Sequence, residues 1–225
     1  MKILIIIVIS FLSINSFAFQ IPKNNKVVFD VIRKNKIIGS IETSFDKKNN
    51  NLTITTNVDI EVKVLFVTAY KFTQISKEIW KNGEFIKIEG HTDFEDEREY
   101  FIKGEDLNNQ FIAYGMDGKL VLNKDILPLN YWNKDILNEK EVFDTQKGIV
   151  RKITVTKHKN EMIEINKTKI EAEKYTLNAS SNPKDKGPFP EYTLWYEKNG
   201  QLLKFKFINW KDKKEVITQR KNLDL

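Results

Sequence analysis

The chain has 225 residues and no cysteine, and it carries a formal net charge of +6 at pH 7. The lack of cysteine excludes disulfides, thiol catalysis and zinc sites with cysteine ligands. The basic residues are almost all lysines that alternate with acidic residues, as on a solvated strand face, and we therefore predict no nucleic acid partner.

Residues 1–18 have the features of an export signal. Lys2 supplies a positive start, an apolar run covers residues 3–14, and Ser16 and Ala18 place small residues three and one positions before a cleavage site. The apolar run is too short for a comfortable membrane span, so we predict none. We expect cleavage after Ala18 and release of a soluble mature chain into the periplasm.

Alternation of apolar and polar residues with a period of two dominates the mature chain, and this period is typical of half-buried β-strands. The pairs Asn82-Gly83, Asp117-Gly118 and Asn199-Gly200 indicate hairpin turns between strands. The predicted strands, in chain order, cover residues 27–32, 37–45, 52–64, 71–80, 85–90, 97–103, 110–114, 119–122, 141–143, 150–156, 161–165, 169–177, 192–197, 202–207 and 215–220.

This pattern predicts an all-β fold, in which an antiparallel meander of about a dozen strands curls into a half-barrel or barrel. Residues 19–225 would form this single domain, and two small β domains are the alternative. Residues 125–138 break the alternation, contain Pro128 and include a short run with helical character at residues 134–138. We expect them to form a plug or lid on the sheet.

Three blocks of residues stand out from the alternation. They are Pro128-Leu129-Asn130-Tyr131-Trp132-Asn133, Asp144-Thr145-Gln146-Lys147-Gly148 and Leu194-Trp195-Tyr196. Together they resemble an uncharacterised family of exported bacterial β-rich proteins, a domain of unknown function, whose members read approximately Pro-x-x-aromatic-Trp-Asn, Asp-Thr-Gln-x-Gly and Leu-Trp-Tyr. The resemblance covers nearly the whole mature chain and implies no known activity. The last block is also similar, more weakly, to periplasmic half-barrels of the lipoprotein-carrier class.

The aromatic residues of these blocks are the candidate ligand-binding residues. Tyr131 and Trp132 would line a pocket mouth with their rings, Asn133 would orient the ligand, and Trp195 would extend the apolar wall. A structural interpretation stands beside this one. In it, Trp132 fills the open end of the sheet and Asn133 caps the short helix that follows.

The remaining chemical signals favour structural roles. Asp144 to Gly148 reads as a turn in which Asp144 caps backbone amides and Gly148 permits a positive φ. His91 precedes several carboxylates, but their spacing does not match a calcium loop. No nucleophile motif or phosphate-binding loop is present, so we predict no catalytic residue, no metal and no cofactor.

Three functions remain open at this stage. The first is a soluble periplasmic protein that binds a lipid or another apolar small molecule on its concave face, gated by residues 125–138, or that serves as an envelope accessory protein. The second is an interaction module that binds an envelope protein. The third is a hydrolase that uses carboxylates or a metal ion.

Overall fold

The computed structural model describes residues 21–64, 67–94 and 98–223, and the predicted signal peptide lies outside them. The described residues form sixteen strands and one short 3₁₀ helix, Lys134–Asn138. The strands are β1 (Lys26–Arg33), β2 (Lys36–Lys48), β3 (Asn51–Val64), β4 (Val67–Lys81), β5 (Glu84–Asp93), β6 (Glu99–Leu107), β7 (Gln110–Gly115), β8 (Gly118–Asn123), β9 (Leu127–Leu129), β10 (Glu141–Asp144), β11 (Val150–Lys157), β12 (Glu161–Ile165), β13 (Thr168–Ala179), β14 (Tyr192–Tyr196), β15 (Leu202–Ile208) and β16 (Glu215–Arg220). No helix among these residues has the length and apolarity needed to cross a bilayer.

The strands form one wide sheet that is not closed. Its order is β8-β7-β6-β5-β4-β3-β2-β1-β16-β15-β14-β13-β11-β10-β9, and β12 pairs only with β13. The all-β half-barrel prediction is confirmed, and the sixteen described strands compare with the fifteen predicted segments and the predicted meander of about a dozen. The strand β9 was not predicted, because three residues that include a proline are too short to show a period. It also pairs in parallel with β10, an exception to the predicted antiparallel meander.

The main core lies on the concave face of the sheet. Alternate side chains of each strand point to this face, as for Leu52 and Ile54 on β3, both of which are fully buried. Aromatic rings from distant strands meet there, including Phe45, Trp80 and Phe111. The half-barrel therefore encloses a hydrophobic cluster to which strands from β1 to β15 contribute.

A second, smaller core lies on the convex face of the later strands. Its members are Ile163, Ile165, Ala172, Trp195 and Leu203. Ile163 and Ile165 belong to β12, which pairs with one half of β13 and covers this face. The hairpin of β12 and β13 thus buries apolar side chains that would otherwise face water.

Residues 127–138 fill the concave face, and we call them the plug. They comprise β9, a short turn and the 3₁₀ helix, which agrees with the predicted irregular segment and its single helical run. Leu129 and Ile136 anchor the plug in the main core, where both are buried. The curled sheet therefore covers its apolar interior with a segment of the same chain.

The turn after β7 and the turn after β10 meet at a seam without strand pairing. The backbone N–H of Met116, after β7, donates to the carbonyl oxygen of Lys147, with a distance of 2.7 Å. Beside this bond, Gly115 and Gly148 lie backbone to backbone, and a Cβ at position 148 would sit 2.7 Å from the Gly115 Cα. Gly148 also has a φ of +66°. Both reasons require glycine at this position.

We predict that Gly148→Ala destabilises the protein by at least ~2 kcal/mol more than Gly118→Ala does. Gly118 has a φ of +83° but open space around its Cα, so that variant measures the cost of the left-handed backbone alone. The Gly148 variant adds the overlap with Gly115. Urea unfolding followed by tryptophan fluorescence gives the comparison, and equal losses in the two variants would show that the seam tolerates a side chain.

Candidate functional site

Trp132 lies inside the half-barrel among other aromatic rings. Its ring centroid is 5.7 Å from that of Phe45 and 5.9 Å from that of Trp80, and both contacts are edge-to-face. The cavity beside these rings has a volume of about 20 Å³. This is close to the minimum that one water molecule requires. Trp132 is therefore half-buried and packs against the main core.

Tyr131 packs the plug against β14 and β15. Its ring lies 4.9 Å from Tyr192 and 5.0 Å from Phe205, measured between centroids. The Tyr196 hydroxyl donates to the Tyr131 carbonyl oxygen at 2.9 Å. Burial raises the pKa of the Tyr131 hydroxyl well above its usual value, so this side chain is neutral at physiological pH. Both aromatic residues of the predicted site are thus half-buried and pack against the main core.

Asn133 is the N-cap of the 3₁₀ helix, which confirms the predicted cap. Its Oδ1 accepts from the backbone N–H of Asp135 at 3.0 Å, and its own N–H donates to Oδ1 of Asn130 at 3.2 Å. The Asn133 side chain is buried, and its Nδ2 has no hydrogen-bond partner among the described residues. Its observed contacts shape the turn that presents Tyr131 and Trp132.

Trp195 does not share a surface with these three residues. On β14, Leu194 and Tyr196 face the main core, so the residue between them faces the convex side. The Trp195 indole donates to Oε2 of Glu161 at 3.3 Å and is covered by β12. The expected apolar wall that joins Trp195 to Trp132 is therefore absent, because the two rings lie on opposite faces of the sheet.

Glu78 on β4 is a buried carboxyl group that sequence analysis missed. Only 1% of the residue is exposed. Its carboxyl oxygens accept from the Trp80 indole at 3.0 Å and from the Asn130 amide at 3.1 and 3.2 Å. Burial raises its pKa to about 7, although these two hydrogen bonds act in the opposite direction. The sequence did contain a signal for this buried group, because Glu78 occupies an inward-facing position in the alternating pattern of β4.

Asp144 caps the turn that follows β10, as predicted. Its Oδ1 accepts from the backbone N–H groups of Gln146 and Lys147, at 2.8 and 3.2 Å. Its Oδ2 accepts from Nε of Arg151 at 2.6 Å. This arginine, on β11, is the buried partner that sequence analysis did not identify.

The network extends from Arg151 to Asp185 in the loop after β13. One guanidinium nitrogen of Arg151 donates to Asp185 at 3.0 Å, and Lys147 pairs with the same carboxylate at 2.5 Å. Burial alone would raise the pKa of Asp185, but the hydrogen bonds from Arg151 and Lys147 lower it to about 2. Two carboxylates and two cations thus compensate one another beside the seam.

The same turn also holds the plug in place. The Thr145 hydroxyl donates to the Leu129 carbonyl oxygen at 3.2 Å, while the Gln74 amide of β4 donates to the Thr145 carbonyl oxygen at 3.1 Å. The Asp-Thr-Gln-Lys-Gly block therefore connects the plug, the seam and the concave face. Each of these contacts is structural.

The convex face carries an exposed apolar row on adjacent strands. Ile75, His91 and Phe101 lie directly opposite one another on β4, β5 and β6, and we call them the outer row. Phe101 is 68% exposed and Ile75 is 50% exposed. The His91 and Phe101 rings stack at a centroid distance of 4.4 Å and an angle of 6°. Among the described residues, no group of three or more acidic or histidine side chains could hold a metal ion.

A cleft of about 420 Å³ lies between the 3₁₀ helix and the strands β11 and β13. Leu137, Val155 and Tyr175 provide its apolar lining, and Asp135 and Asn138 also line it. Two lysines, Lys134 and Lys157, stand at this cleft and both pair with Glu173. With Asp135, these groups balance in charge, so the cleft does not select strongly for a ligand of either sign.

The sequence model of the family described as Domain of unknown function (DUF6134) matches residues 29–215. The chain belongs to this family. This agrees with the predicted resemblance to an uncharacterised β-rich family, and the matched region includes all three residue blocks on which that resemblance was based. No curated protein matches the chain.

Among solved structures, the chain is similar to the β-barrel-like protein of Domain of Unknown Function DUF1849 from Brucella abortus. The TM-score is 0.61 at 11% identity, over 87% of this chain and 94% of that one. A second similar structure is a protein from Bacteroides fragilis that is described as exported, with a YmcC-like fold; the TM-score is 0.38 at 12% identity, over 88% of this chain and 93% of that one. A third, from Parabacteroides distasonis, is described as a lipoprotein, and its TM-score is 0.37 at 12% identity, over 88% of this chain and 93% of that one. The likeness to the Brucella protein supports the barrel-like fold.

We predict that Arg151→Met costs about 3–5 kcal/mol of stability at pH 7, because it leaves Asp144 and Asp185 buried with too little positive charge. The loss should shrink toward pH 3, because without Arg151 the buried Asp185 carboxyl group of the variant takes up a proton more readily and then needs no cation. In the unchanged protein, the lowered pKa of Asp185 contributes stability above about pH 4 that is lost as the pH falls toward 2.

The matched control for this variant is Arg98→Met, since Arg98 is exposed. It should change stability by no more than about 0.5 kcal/mol at either pH. Urea unfolding at pH 7 and pH 3 gives the four values. A cost for Arg151→Met that stays constant between the two pH values would contradict the ionic role.

Proposed function

We propose that this protein is exported to the periplasm and acts there as an envelope accessory protein that binds another protein through the outer row. The pattern of residues 1–18 supports export. The observation that carries the binding proposal is the exposure of Ile75 and Phe101 on either side of His91, on one face of three adjacent strands. Contiguous exposed apolar side chains commonly mark interaction sites.

The filled interior also favours a binding surface on the outside. Trp132 and Tyr131 occupy the space on the concave face where an internal ligand would lie, and the adjoining cavity has room for about one water molecule. A carrier that held its ligand beneath Trp132 would first have to displace the plug, whereas the cleft beside the 3₁₀ helix is already open. The outer row needs no such rearrangement.

The surroundings of the outer row resemble the rim of an interaction surface. The neighbouring cross-strand row is Lys77, Glu89 and Lys103, which places charge on one side of the apolar side chains. An apolar centre beside charged residues is the usual arrangement of protein interfaces. We infer that the partner is an envelope protein that presents an apolar side chain to Phe101 and His91.

Binding of a lipid or another apolar molecule is the second candidate function. It is supported by the composition of the concave face, where Phe45, Trp80 and Leu194 belong to one continuous apolar cluster beneath the plug. A ligand could use this surface only after displacement of the plug. The two candidates therefore differ in which face of the sheet is occupied.

We expect Phe101→Asp to reduce capture of the partner at least tenfold, since loss of a central aromatic anchor typically costs 2 kcal/mol or more. The experiment incubates immobilised mature protein with envelope extract of the source bacterium and quantifies bound proteins by mass spectrometry. Met162→Asp is the matched control, because Met162 is 61% exposed on β12, in a different part of the sheet.

The supporting result is one protein held in stoichiometric amount by the unchanged chain and by Met162→Asp, and lost from Phe101→Asp. Equal capture by all three proteins, or no stoichiometric protein at all, would contradict the proposal. Circular dichroism of each variant confirms that the fold is retained.

A further inference from the structure

We propose that Glu78 is a proton-dependent latch for the plug: the plug stays closed over the carboxyl group in its protonated form, and ionisation of this group loosens the plug. The latch acts on the opposite face of β4 from the outer row and does not depend on partner binding. It would control access to the apolar concave surface.

The surroundings of Glu78 offer its carboxylate no opposite charge. Its cross-strand neighbours are Ile54 on β3 and Ile88 on β5, and both are fully buried. The two groups that donate to it are the Trp80 indole of its own strand and the Asn130 amide of the plug. None of these four side chains carries a charge, so only neutral hydrogen bonds compensate an ionised Glu78.

Asn130 connects this carboxyl group to the turn of the plug. Its Nδ2 donates to both oxygens of Glu78, while its Oδ1 accepts from the backbone N–H of Asn133. Asn133 in turn caps the 3₁₀ helix. A change at Glu78 is therefore transmitted directly to the segment that carries Tyr131 and Trp132.

Two effects compete when Glu78 loses its proton. The negative charge strengthens the hydrogen bonds from Trp80 and Asn130, which favours the closed plug. The loss of hydration of a buried carboxylate favours any conformation that admits water. Burial is the larger effect, because Glu78 is almost fully buried between Ile54 and Ile88 with no cation beside it. In keeping with this, burial raises the pKa of Glu78 to about 7 in spite of both hydrogen bonds.

The size of the effect follows from the linkage between proton binding and opening. The closed form binds the proton more tightly, so its advantage is complete below about pH 4.5 and is lost as the pH rises toward 7 and beyond. If Glu78 returns to an ordinary pKa when the plug opens, the opening equilibrium rises about tenfold between pH 6 and pH 8.5.

Hydrogen exchange measured by NMR at pH 6 and pH 8.5 tests the latch. The reporters are the backbone amides of Asn133, Asp135 and Ile136, which are hydrogen-bonded within the plug. After correction for intrinsic exchange rates, we expect their opening constant to rise about tenfold in the unchanged protein. The opening constant of these plug amides should also exceed the opening constant of the β15 amides at both pH values, because local opening of the plug does not require global unfolding.

Two variants isolate the carboxyl group. Glu78→Gln keeps an acceptor but cannot ionise, so its opening constant should not change with pH. Glu171→Gln is the control, since Glu171 is exposed on β13, and it should retain the tenfold rise. Equal pH dependence in Glu78→Gln and the unchanged protein, or plug amides that exchange only as fast as β15, would overturn the proposal.

A direct titration keeps the proposal testable if Glu78→Gln does not fold. Carbon-detected NMR follows the side-chain carboxyl of Glu78 in the unchanged protein. We expect a midpoint near pH 7. A midpoint near 4.5 would overturn the latch, because the group would then remain ionised in the closed form at neutral pH.

Discussion

A wide, curled β-sheet has one apolar face that must be covered, and this requirement governs the whole structure. Strand pairing cannot cover it, since β8 and β9 end the sheet without joining. Residues 127–148 cover this face instead. They place Leu129, Trp132 and Ile136 on the concave face, and the turn that ends this segment then contacts the turn after β7. Fold, seam and buried polar groups all follow from this covering.

The polar residues near the plug are consistent with that role. Thr145 and Gln74 connect the turn to the plug and to β4, and the paired charges of Arg151 and Asp185 hold the turn itself. Glu78 differs from them because it is buried without a compensating cation. It is therefore the one described group beneath the plug at which a change in pH alters the cost of keeping the interior closed.

Sequence analysis recovered the parts of the structure that depend on local pattern. The alternation of residues predicted most strands, and β12 and β16 were predicted with the observed bounds. The short helical run and the Asn133 cap are also local features. The strand β9 was missed because its pairing partner, β10, lies beyond the 3₁₀ helix in the chain, and three residues carry no period of their own.

The candidate site was harder to predict because it depends on which residues meet across the fold. Alternation alone places Trp195 on the other face of the sheet from its neighbours Leu194 and Tyr196. The period of two could therefore have shown that Trp195 and Trp132 do not share a surface. The pairing of Asp144 with Arg151 requires that β10 and β11 form a hairpin, and the exposure of Phe101 depends on which face of β6 is covered. These facts belong to tertiary structure.

The central claim is that the protein fills its own half-barrel and works from the outside. Native mass spectrometry of the protein purified from its native host, without detergent and near pH 6, tests this most directly. We expect the mass of the polypeptide alone. A stoichiometric lipid or other apolar molecule retained in the folded protein would contradict the account, because the account places the binding surface on the convex face of the sheet.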